Sequence, residues 1–376
     1  MKLVFVSNYI NHHQIPLCEE LYRLSGGDFV FVQTEPMSEE RTAMGWDASL
    51  ANASYIKNRW DDEKGTDRLI FESDCVIFGG AEDEELVIKR LEAGKFTLRY
   101  NERLYKTGRW KFISPKGLKK KYHDHIRFKN FPVYFLCAGA YVAGDFKLIG
   151  AYPDKMLKFG YFPKVYEYGD VHFKRKERND KDLSILWAGR FIDWKHPEMM
   201  IKLAEILKQD NIAFKIHMIG SGELLEQTKA DAERSGVSDR VSFTGALSPD
   251  EVREMMLKSD IFISTSDRME GWGAVINEAM NSGCVTFAAK EIGAAPYLID
   301  NGVNGFMYRA CNVKELSDKV LALSDKKDIR YEIGTRAYET MESTWNAKVA
   351  AERLWAFIND KDHKMPDYET GPVSKA

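Results

Sequence analysis

The sequence predicts an α/β protein of two domains, each built on a parallel sheet. Three observations carry this expectation. The chain has 376 residues, more than one ordinary core accommodates, which suggests two domains of roughly 150 to 200 residues each. Short apolar runs alternate with longer helix-period segments along both halves. One polar, aperiodic stretch separates the halves.

In chain order, strands are expected at 3–7, 29–34, 75–78, 96–100 and 133–137 in the first half. In the second half they are expected at 184–188, 214–219, 241–244, 261–264 and 285–288. Helices fall between them, for example at 197–207 and 249–258. Regular alternation of strand and helix means parallel sheets covered on both faces. Residues 173–182, centred on Lys174-Arg175-Lys176-Glu177-Arg178-Asn179-Asp180-Lys181-Asp182, read as a linker between a first domain at 1–172 and a second at 183–344. The last periodic segment, 345–358, is amphipathic and is expected to return to the first domain; the tail after Asp360, with Pro366 and Pro372, is expected to fray. Two open sheets facing a central cleft would bring the carboxyl ends of both strand sets to one crevice, where ligands bind.

Composition narrows the class. The chain is 44% hydrophobic and 30% charged, with a formal net charge of −3, so nothing global points to nucleic acid. Its cysteines, Cys18, Cys75, Cys137, Cys284 and Cys311, are odd in number and form no C-x-x-C pair, which indicates neither a disulfide framework nor a zinc site. Reduced thiols suit a cytosol. The opening run Leu3-Val4-Phe5-Val6 is too short for a signal-peptide core, and no stretch reaches the ~18 apolar residues of a membrane span. The expected location is cytoplasmic, at most peripheral at the inner face of a membrane.

The sharpest local feature is Glu270-Gly271-Trp272-Gly273-Ala274-Val275-Ile276-Asn277-Glu278, which follows the expected strand 261–264. Gly271 and Gly273 suit a loop where backbone approaches a ligand. A helix is expected to begin after this glycine loop and to continue through Ala279-Met280, placing Glu270 on the loop and Glu278 about two turns down the helix. A nucleotide sugar needs acceptors for its hydroxyls. One carboxylate could hold the sugar and the other the ribose, while amides at the helix start, near Ala274, meet the pyrophosphate. Spacing alone equally fits an acidic loop followed by a helix with an ordinary surface Glu.

Here the sequence resembles the family 4 glycosyltransferases, retaining enzymes of the GT-B fold, whose signature in this region is E-x7-E, matched by Glu270 and Glu278. Further agreement runs from about 184 to 310. Gly189-Arg190 and Lys195 look like the family's phosphate-binding pair, and Gly220-Ser221-Gly222 like its mid-domain glycine turn. Val241-Ser242-Phe243-Thr244-Gly245 looks like the strand and loop that border the nucleobase. Ala279-Met280-Asn281-Ser282-Gly283 and Asn301-Gly302-Val303-Asn304-Gly305-Phe306 fit the two following elements. The resemblance implies a UDP- or GDP-linked sugar as donor substrate and no required cofactor. It also implies that Glu278 binds ribose and that Glu270 contacts the donor sugar or supports the reacting centre. Breaking a sugar–phosphate bond leaves negative charge on the departing diphosphate, and Arg190 and Lys195 are cations placed to meet it; otherwise they are solvated side chains on a loop. No metal is required if these cations and the helix amides neutralise the diphosphate. Two departures are visible: Tyr297 stands where the family usually has a Glu, and Trp272 where Phe is commoner.

The first half resembles the family less. The loop after the first strand reads Ser7-Asn8-Tyr9-Ile10-Asn11-His12-His13-Gln14, without the family's Gly-Gly pair. Asn11 is expected as an N-cap, with His12 and His13 as hydrogen-bonding or proton-transfer groups or as an ordinary polar cap. After the strand at 96–100, Asn101 and Glu102 occupy the place where many family members carry a His. Glu102 reads either as a general base toward an acceptor hydroxyl or as an ion-pair partner of Arg99 or Arg103. Residues 99–129 hold eleven Lys or Arg against two acids, a net charge of +9, interleaved with Trp110, Phe112, Tyr122 and Phe128. Such a stretch suits an anionic membrane or a polyprenyl-diphosphate-linked glycan acceptor; single-stranded nucleic acid or plain solvent would select similar residues.

Other α/β enzymes fit less well. A dinucleotide-binding G-x-G-x-x-G is missing its third glycine at Gly220-Ser221-Gly222-Glu223-Leu224-Leu225, and no Walker sequence appears. A phosphorylase on the same fold would need a pyridoxal lysine, which is not evident. The expected function is retaining sugar transfer to a glycan or lipid-linked acceptor in surface polysaccharide assembly. The alternative is a noncatalytic nucleotide-sugar-binding subunit.

Overall fold

The computed structural model describes residues 1–37, 53–80, 84–108, 113–177 and 182–376. By its internal contacts the chain divides into two units, Met1–Lys164 with Trp345–Ala376, and Val165–Thr344.

The first unit carries a sheet of seven strands: β1 (Leu3–Ser7), β2 (Phe29–Gln33), β3 (Ile56–Asn58), β4 (Cys75–Gly79), β5 (Thr97–Asn101), β6 (Val133–Ala138) and β7 (Met156–Phe159). Their order is β3-β2-β1-β4-β5-β6-β7, and every pairing is parallel. The second unit carries β8 (Leu183–Ala188), β9 (Phe214–Ile219), β10 (Val241–Gly245), β11 (Ile261–Ser264), β12 (Val285–Ala289) and β13 (Phe306–Tyr308). These run in the order β10-β9-β8-β11-β12-β13, again all parallel. Every residue of the central strands β1, β4, β11 and β12 is buried, as helices on both faces of a parallel sheet require. The edge strand β10 alternates buried Val241 with exposed Ser242 and Thr244.

The expected strands all form, within a residue or two. The sequence reading omitted β3, β7 and β13, which are three or four residues long and close the sheet edges. Helix Pro249–Lys258 has the expected bounds because Ser248 and Glu251 close a capping box in front of Pro249. Helix Glu198–Gln209 follows Pro197 at its N-cap. Residues 165–182 group with the second unit. Within the expected linker, Phe173–Lys176 is a short helix whose Arg175 is buried against the carbonyls of Ser282 (2.9 Å) and Gly283 (2.7 Å). Residues 178–181 lie outside the described residues.

Two local expectations are corrected. The tail after Asp360 does not fray. Helix Ala347–Asn359 packs on helix Ile15–Leu24, and the chain beyond it runs along β7, where Val373 N–H donates to Lys158 O and Lys158 N–H to Ser374 O, each at 2.7 Å. Val373 is fully buried and His363 stacks on Phe96 at 3.8 Å. The open edge of β7 supplies backbone partners that composition does not reveal. Nor does Asn11 cap a helix. The helix begins at Ile15 with Gln14 at its N-cap, and the Asn11 side chain instead accepts from His13 N–H at 3.0 Å, forming a turn ahead of the helix.

Leu354 is fully buried in the returning helix. Leu354→Ala is expected to destabilise the first unit by about 2–5 kcal/mol, read as earlier loss of amide protection in β1 and β2 by hydrogen exchange.

Candidate functional site

In the second sheet the strand order reverses between β8 and β11. Crossovers leave a parallel sheet on opposite faces at such a point, so the loops at the two carboxyl ends diverge and leave a crevice between them. The β8 loop carries Gly189, Arg190 and Lys195. The β11 loop carries Glu270, Gly271, Trp272, Gly273 and Ala274. The sequence-predicted residues thus leave the two strands that flank the switch point.

The two loops are tied together. Lys195 Nζ donates to the Glu270 carboxylate, and both side chains are only 15% exposed. Ser266 Oγ donates to the same Glu270 oxygen at 3.1 Å. Below the pair, the fully buried Trp187 donates its indole N–H to Thr265 Oγ1 at 2.8 Å, and that hydroxyl donates to the Lys195 carbonyl. Asp267 N–H donates to the Trp194 carbonyl at 3.0 Å. Arg190 is exposed, its guanidinium 5.7 Å from the Trp194 ring centroid, while Lys195 Nζ lies 4.7 Å from the same ring. Trp194, which the sequence reading did not single out, therefore gathers both cations on one indole. Its place between Arg190 and Lys195 in the chain was the available signal.

The glycines have separate tasks. Gly189 N–H donates to Ile219 O at 3.0 Å, and Gly220 N–H to Gly245 O at 2.8 Å, so the turns after β8, β9 and β10 stack as one ladder. Gly220 has φ +135°, and a Cβ there would overlap the Gly189 carbonyl oxygen. Gly273 has φ +88°, and a Cβ would come within 2.8 Å of Ile292 Cγ2.

The helix that carries Glu278 spans Val275–Asn281, with Ala274 at its N-cap and no side-chain cap. Glu278 is therefore in the first turn, not two turns down as expected, because the left-handed backbone of Gly273 delays the helix start. Its carboxylate lies 4.0 Å from the Arg253 guanidinium, which also donates to Asn281 Oδ1 at 2.9 Å. The two acids of the motif thus meet different cations, Lys195 for Glu270 and Arg253 for Glu278. Trp272 is fully buried and donates to Asn277 Oδ1 at 2.9 Å; Tyr297 lies beside it, centroids 6.3 Å apart.

The first sheet reverses between β1 and β4. The β1 loop carries Asn11, His12 and His13, the two imidazoles 3.8 Å apart. Asn101 ends β5, and its side chain accepts from Glu102 N–H at 2.8 Å. Glu102 pairs with neither Arg99 nor Arg103. Lys106 Nζ donates to one of its oxygens at 2.6 Å and Tyr161 OH to the other at 2.8 Å. Tyr161 also stacks parallel to His13 at 6.4 Å, so this residue, missed in the sequence, joins the β1 loop to the β5 loop.

Three of the eleven basic residues between 99 and 129 pair with acids outside that stretch. Arg99 pairs with Glu84, Arg103 with Asp145 and Arg127 with Glu92. Lys116, Lys119, Lys120 and Tyr122 remain exposed on helix Pro115–Asp124, with Ile113 64% exposed just before it. Trp110 and Phe112 lie outside the described residues. All five cysteines are free thiols, and among the described residues no helix is long and apolar enough to cross a membrane.

Gly220→Ala is expected to cost more than about 1 kcal/mol, read as a lowered thermal midpoint for the second unit, because φ and the Gly189 carbonyl both oppose a Cβ.

Residues 170–340 match the family model of glycosyl transferases group 1. A GDP-mannose-dependent alpha-(1-6)-phosphatidylinositol monomannoside mannosyltransferase of Mycobacterium tuberculosis is 22% identical over 198 residues, 51% of each chain. A poly(ribitol-phosphate) alpha-N-acetylglucosaminyltransferase of Staphylococcus aureus is 26% identical over 173 residues, 45% of this chain and 34% of that protein. The chain spans about half the length, or less, of these curated relatives. Among solved structures, Anabaena HepE in complex with UDP and glucose superposes with a TM-score of 0.70 at 14% identity, covering 96% of this chain and all of that one. TarM superposes at 0.69 with 12% identity over 96% of this chain and 99% of its own. These likenesses show the fold, two Rossmann-like parallel-sheet units of the GT-B class, and the match to the glycosyl transferases group 1 model falls on the second unit.

Proposed function

We propose that the chain is a retaining glycosyltransferase of the family 4 type. In this reading it moves a hexose or related sugar from a UDP- or GDP-linked donor to a glycan or polyprenyl-diphosphate-linked acceptor in surface polysaccharide assembly. The observation that carries the reading is the Lys195–Glu270 pair at the switch point of the second sheet, with Arg190 on the same indole as Lys195. A group of this kind suits a ligand that is part sugar and part diphosphate. Glu270 offers acceptor oxygens to sugar hydroxyls. As the anomeric C–O bond to the diphosphate breaks, its electron pair stays on phosphate oxygen, and Lys195 and Arg190 stand ready to stabilise that charge. The amides at Ala274 and the start of the following helix add to this, and no metal is required. Glu278, set beside Arg253 in the first turn, takes the ribose hydroxyls. Gly189 and Gly245, in the stacked turns, let the nucleotide approach the backbone.

The first unit is assigned the acceptor, with Asn11, His12, His13, Asn101 and Glu102 around its hydroxyl. Because Lys106 and Tyr161 engage both Glu102 oxygens, Glu102 acts within a hydrogen-bonded chain, Tyr161 included. The exposed lysines of helix Pro115–Asp124 favour contact with an anionic membrane surface that would present a lipid-linked acceptor.

The tests are direct. Lys195→Ala is expected to lower turnover about 100-fold, by analogy with loss of one preorganised charge contact worth ~3 kcal/mol, and Glu278→Ala to weaken donor binding. Steady-state kinetics with a panel of nucleotide sugars checks both; unchanged kinetics in both variants would defeat the assignment. A donor-hydrolysis assay separates a catalyst from a noncatalytic binding subunit. Absolute dependence on Mg²⁺ or Mn²⁺ would overturn the metal-free reading. Sedimentation with liposomes is expected to show binding that rises with anionic lipid and falls with salt.

A further inference from the structure

Immediately after Lys195 the backbone turns through His196 at φ 48° and ψ 54°, the left-handed region that a residue with a side chain enters at a cost. Such a conformation persists where surroundings over-determine it; here His196 N–H donates to Asp193 O at 3.0 Å, its carbonyl accepts from Met199 N–H at 3.1 Å, and the ring makes contacts of its own. Nδ1 of His196 lies 3.2 Å from Glu198 Oε1, and Nε2 lies 3.4 Å from Asp267 Oδ2 and 3.4 Å from Cys311 Sγ. Both ring nitrogens thus face carboxylates. Neutral imidazole has one donor and one acceptor, whereas imidazolium donates from both, so this arrangement selects the charged ring.

What the ring joins gives it a role. Glu198 begins the helix after the β8 loop, and Asp267 belongs to the β11 loop. Asp267 in turn sets the path to Glu270: its carboxylate accepts from Met269 N–H at 2.8 Å and its carbonyl from Glu270 N–H at 3.1 Å. Lys195, on the other side, is the covalent neighbour of His196. We propose that His196 is a positioning residue whose imidazolium clips the loop carrying Lys195 to the loop carrying Glu270, making donor binding by that pair depend on the charge of the ring. This rests on the donor reading above and adds a pH-sensitive control to it.

The surrounding charges favour this. The hydrogen bond to Glu198 is the largest influence raising the His196 pKa above its ordinary value, and Asp267 adds to it against the opposing effect of burial. Glu198 is correspondingly held below the usual carboxylate range: burial pushes its pKa up, but His196, the start of its own helix and Lys202 outweigh it. Cys311, whose thiol is pushed up by burial and by Glu198, Asp267 and Glu291, faces the ring as a neutral group. Because the folded pKa of His196 is raised, the clip is fully present at pH values below the unfolded imidazole pKa. It is lost as pH rises through the folded value.

The experiment measures binding of UDP-glucose and GDP-mannose from pH 6 to 9, a range over which their diphosphate diesters hold constant charge. Wild type is compared with His196→Gly and His196→Arg. Gly keeps the left-handed backbone without the ring, and relief of its conformational cost partly offsets the lost ring contacts, so this variant should still fold. Wild-type affinity is expected to fall about tenfold across the His196 titration, a typical coupling between sites. His196→Gly should bind weakly at all pH values, and His196→Arg, permanently charged, should hold its affinity at high pH. Identical pH profiles for wild type and His196→Gly would overturn the proposal. A second readout needs no donor: hydrogen exchange at the Asp267 and Glu270 amides, alongside NMR titration of the His196 ring. Protection should fall through the ring's titration in wild type and stay constant in His196→Arg. If neither sugar nucleotide binds wild type, the donor reading fails while this exchange result still decides the clip. Unchanged protection, or a ring that titrates at or below the ordinary imidazole value, would overturn it.

Discussion

The ion pair between Lys195 and Glu270 is the constraint around which the second unit is organised. A lysine and a glutamate that are each 15% exposed give up much of their hydration, and such a pair is maintained only where geometry and further hydrogen bonds compensate. Ser266 supplies one such bond to Glu270. The backbone beneath is fixed by the bonds from Trp187 through Thr265 to the Lys195 carbonyl, and by Asp267 N–H to Trp194 O. The indole of Trp187 can serve there because β8 is a central strand that delivers a large side chain into a dry interior. Sheet topology, core packing and site geometry are in this sense one arrangement. Moving β8 relative to β11 would separate the two charges and leave each partly desolvated without its partner.

That dependence explains where side chains are excluded. Gly189, Gly220 and Gly245 bring three consecutive strand-end turns within hydrogen-bonding distance of one another, and at Gly220 the space that allows it disappears with one added carbon. Gly273 does something different. Its positive φ precedes a helix that starts only at Val275, which puts Glu278 in the first turn and Glu270 on the loop. Glycine spacing and acid spacing are therefore linked through backbone geometry.

Much of this was legible in the sequence. Ten strands, the helix bounds set by Ser248 and Pro249, and the chain positions of Glu270, Glu278, Arg190 and Lys195 follow from periodicity, capping chemistry and motif spacing. What escaped did so for identifiable reasons. A three-residue strand such as β13 has no period to detect. The start at Val275 depends on a dihedral at Gly273 that composition permits but does not require. Tyr161 joins Glu102 to His13 across strands far apart in sequence. Arg90 reads as a surface charge on a helix, yet it is fully buried and donates to the carbonyls of Ile70, Phe71, Ser73 and Phe96. A guanidinium has five donors, and no local pattern announces that unpaired helix-end carbonyls will gather around it.

The two units repeat one plan and differ in how they use it. Each reverses strand order at a switch point, and each carries its candidate polar residues on loops at the carboxyl ends of neighbouring strands. In the second unit those loops are glycine-rich and closely bonded backbone to backbone, which suits a ligand of fixed shape approached at short range. In the first, side chains do the joining: His13 to Tyr161, Tyr161 to Glu102, Glu102 to Lys106. Side-chain networks can be altered one residue at a time without moving a strand, whereas a backbone ladder cannot. This is a physical reason for the sequence resemblance to be dense between 184 and 310 and thin before it. Under the proposed donor reading, a diphosphate and a ribose present the same groups whatever sugar they carry, and the unit joined by side chains is the one left open to change.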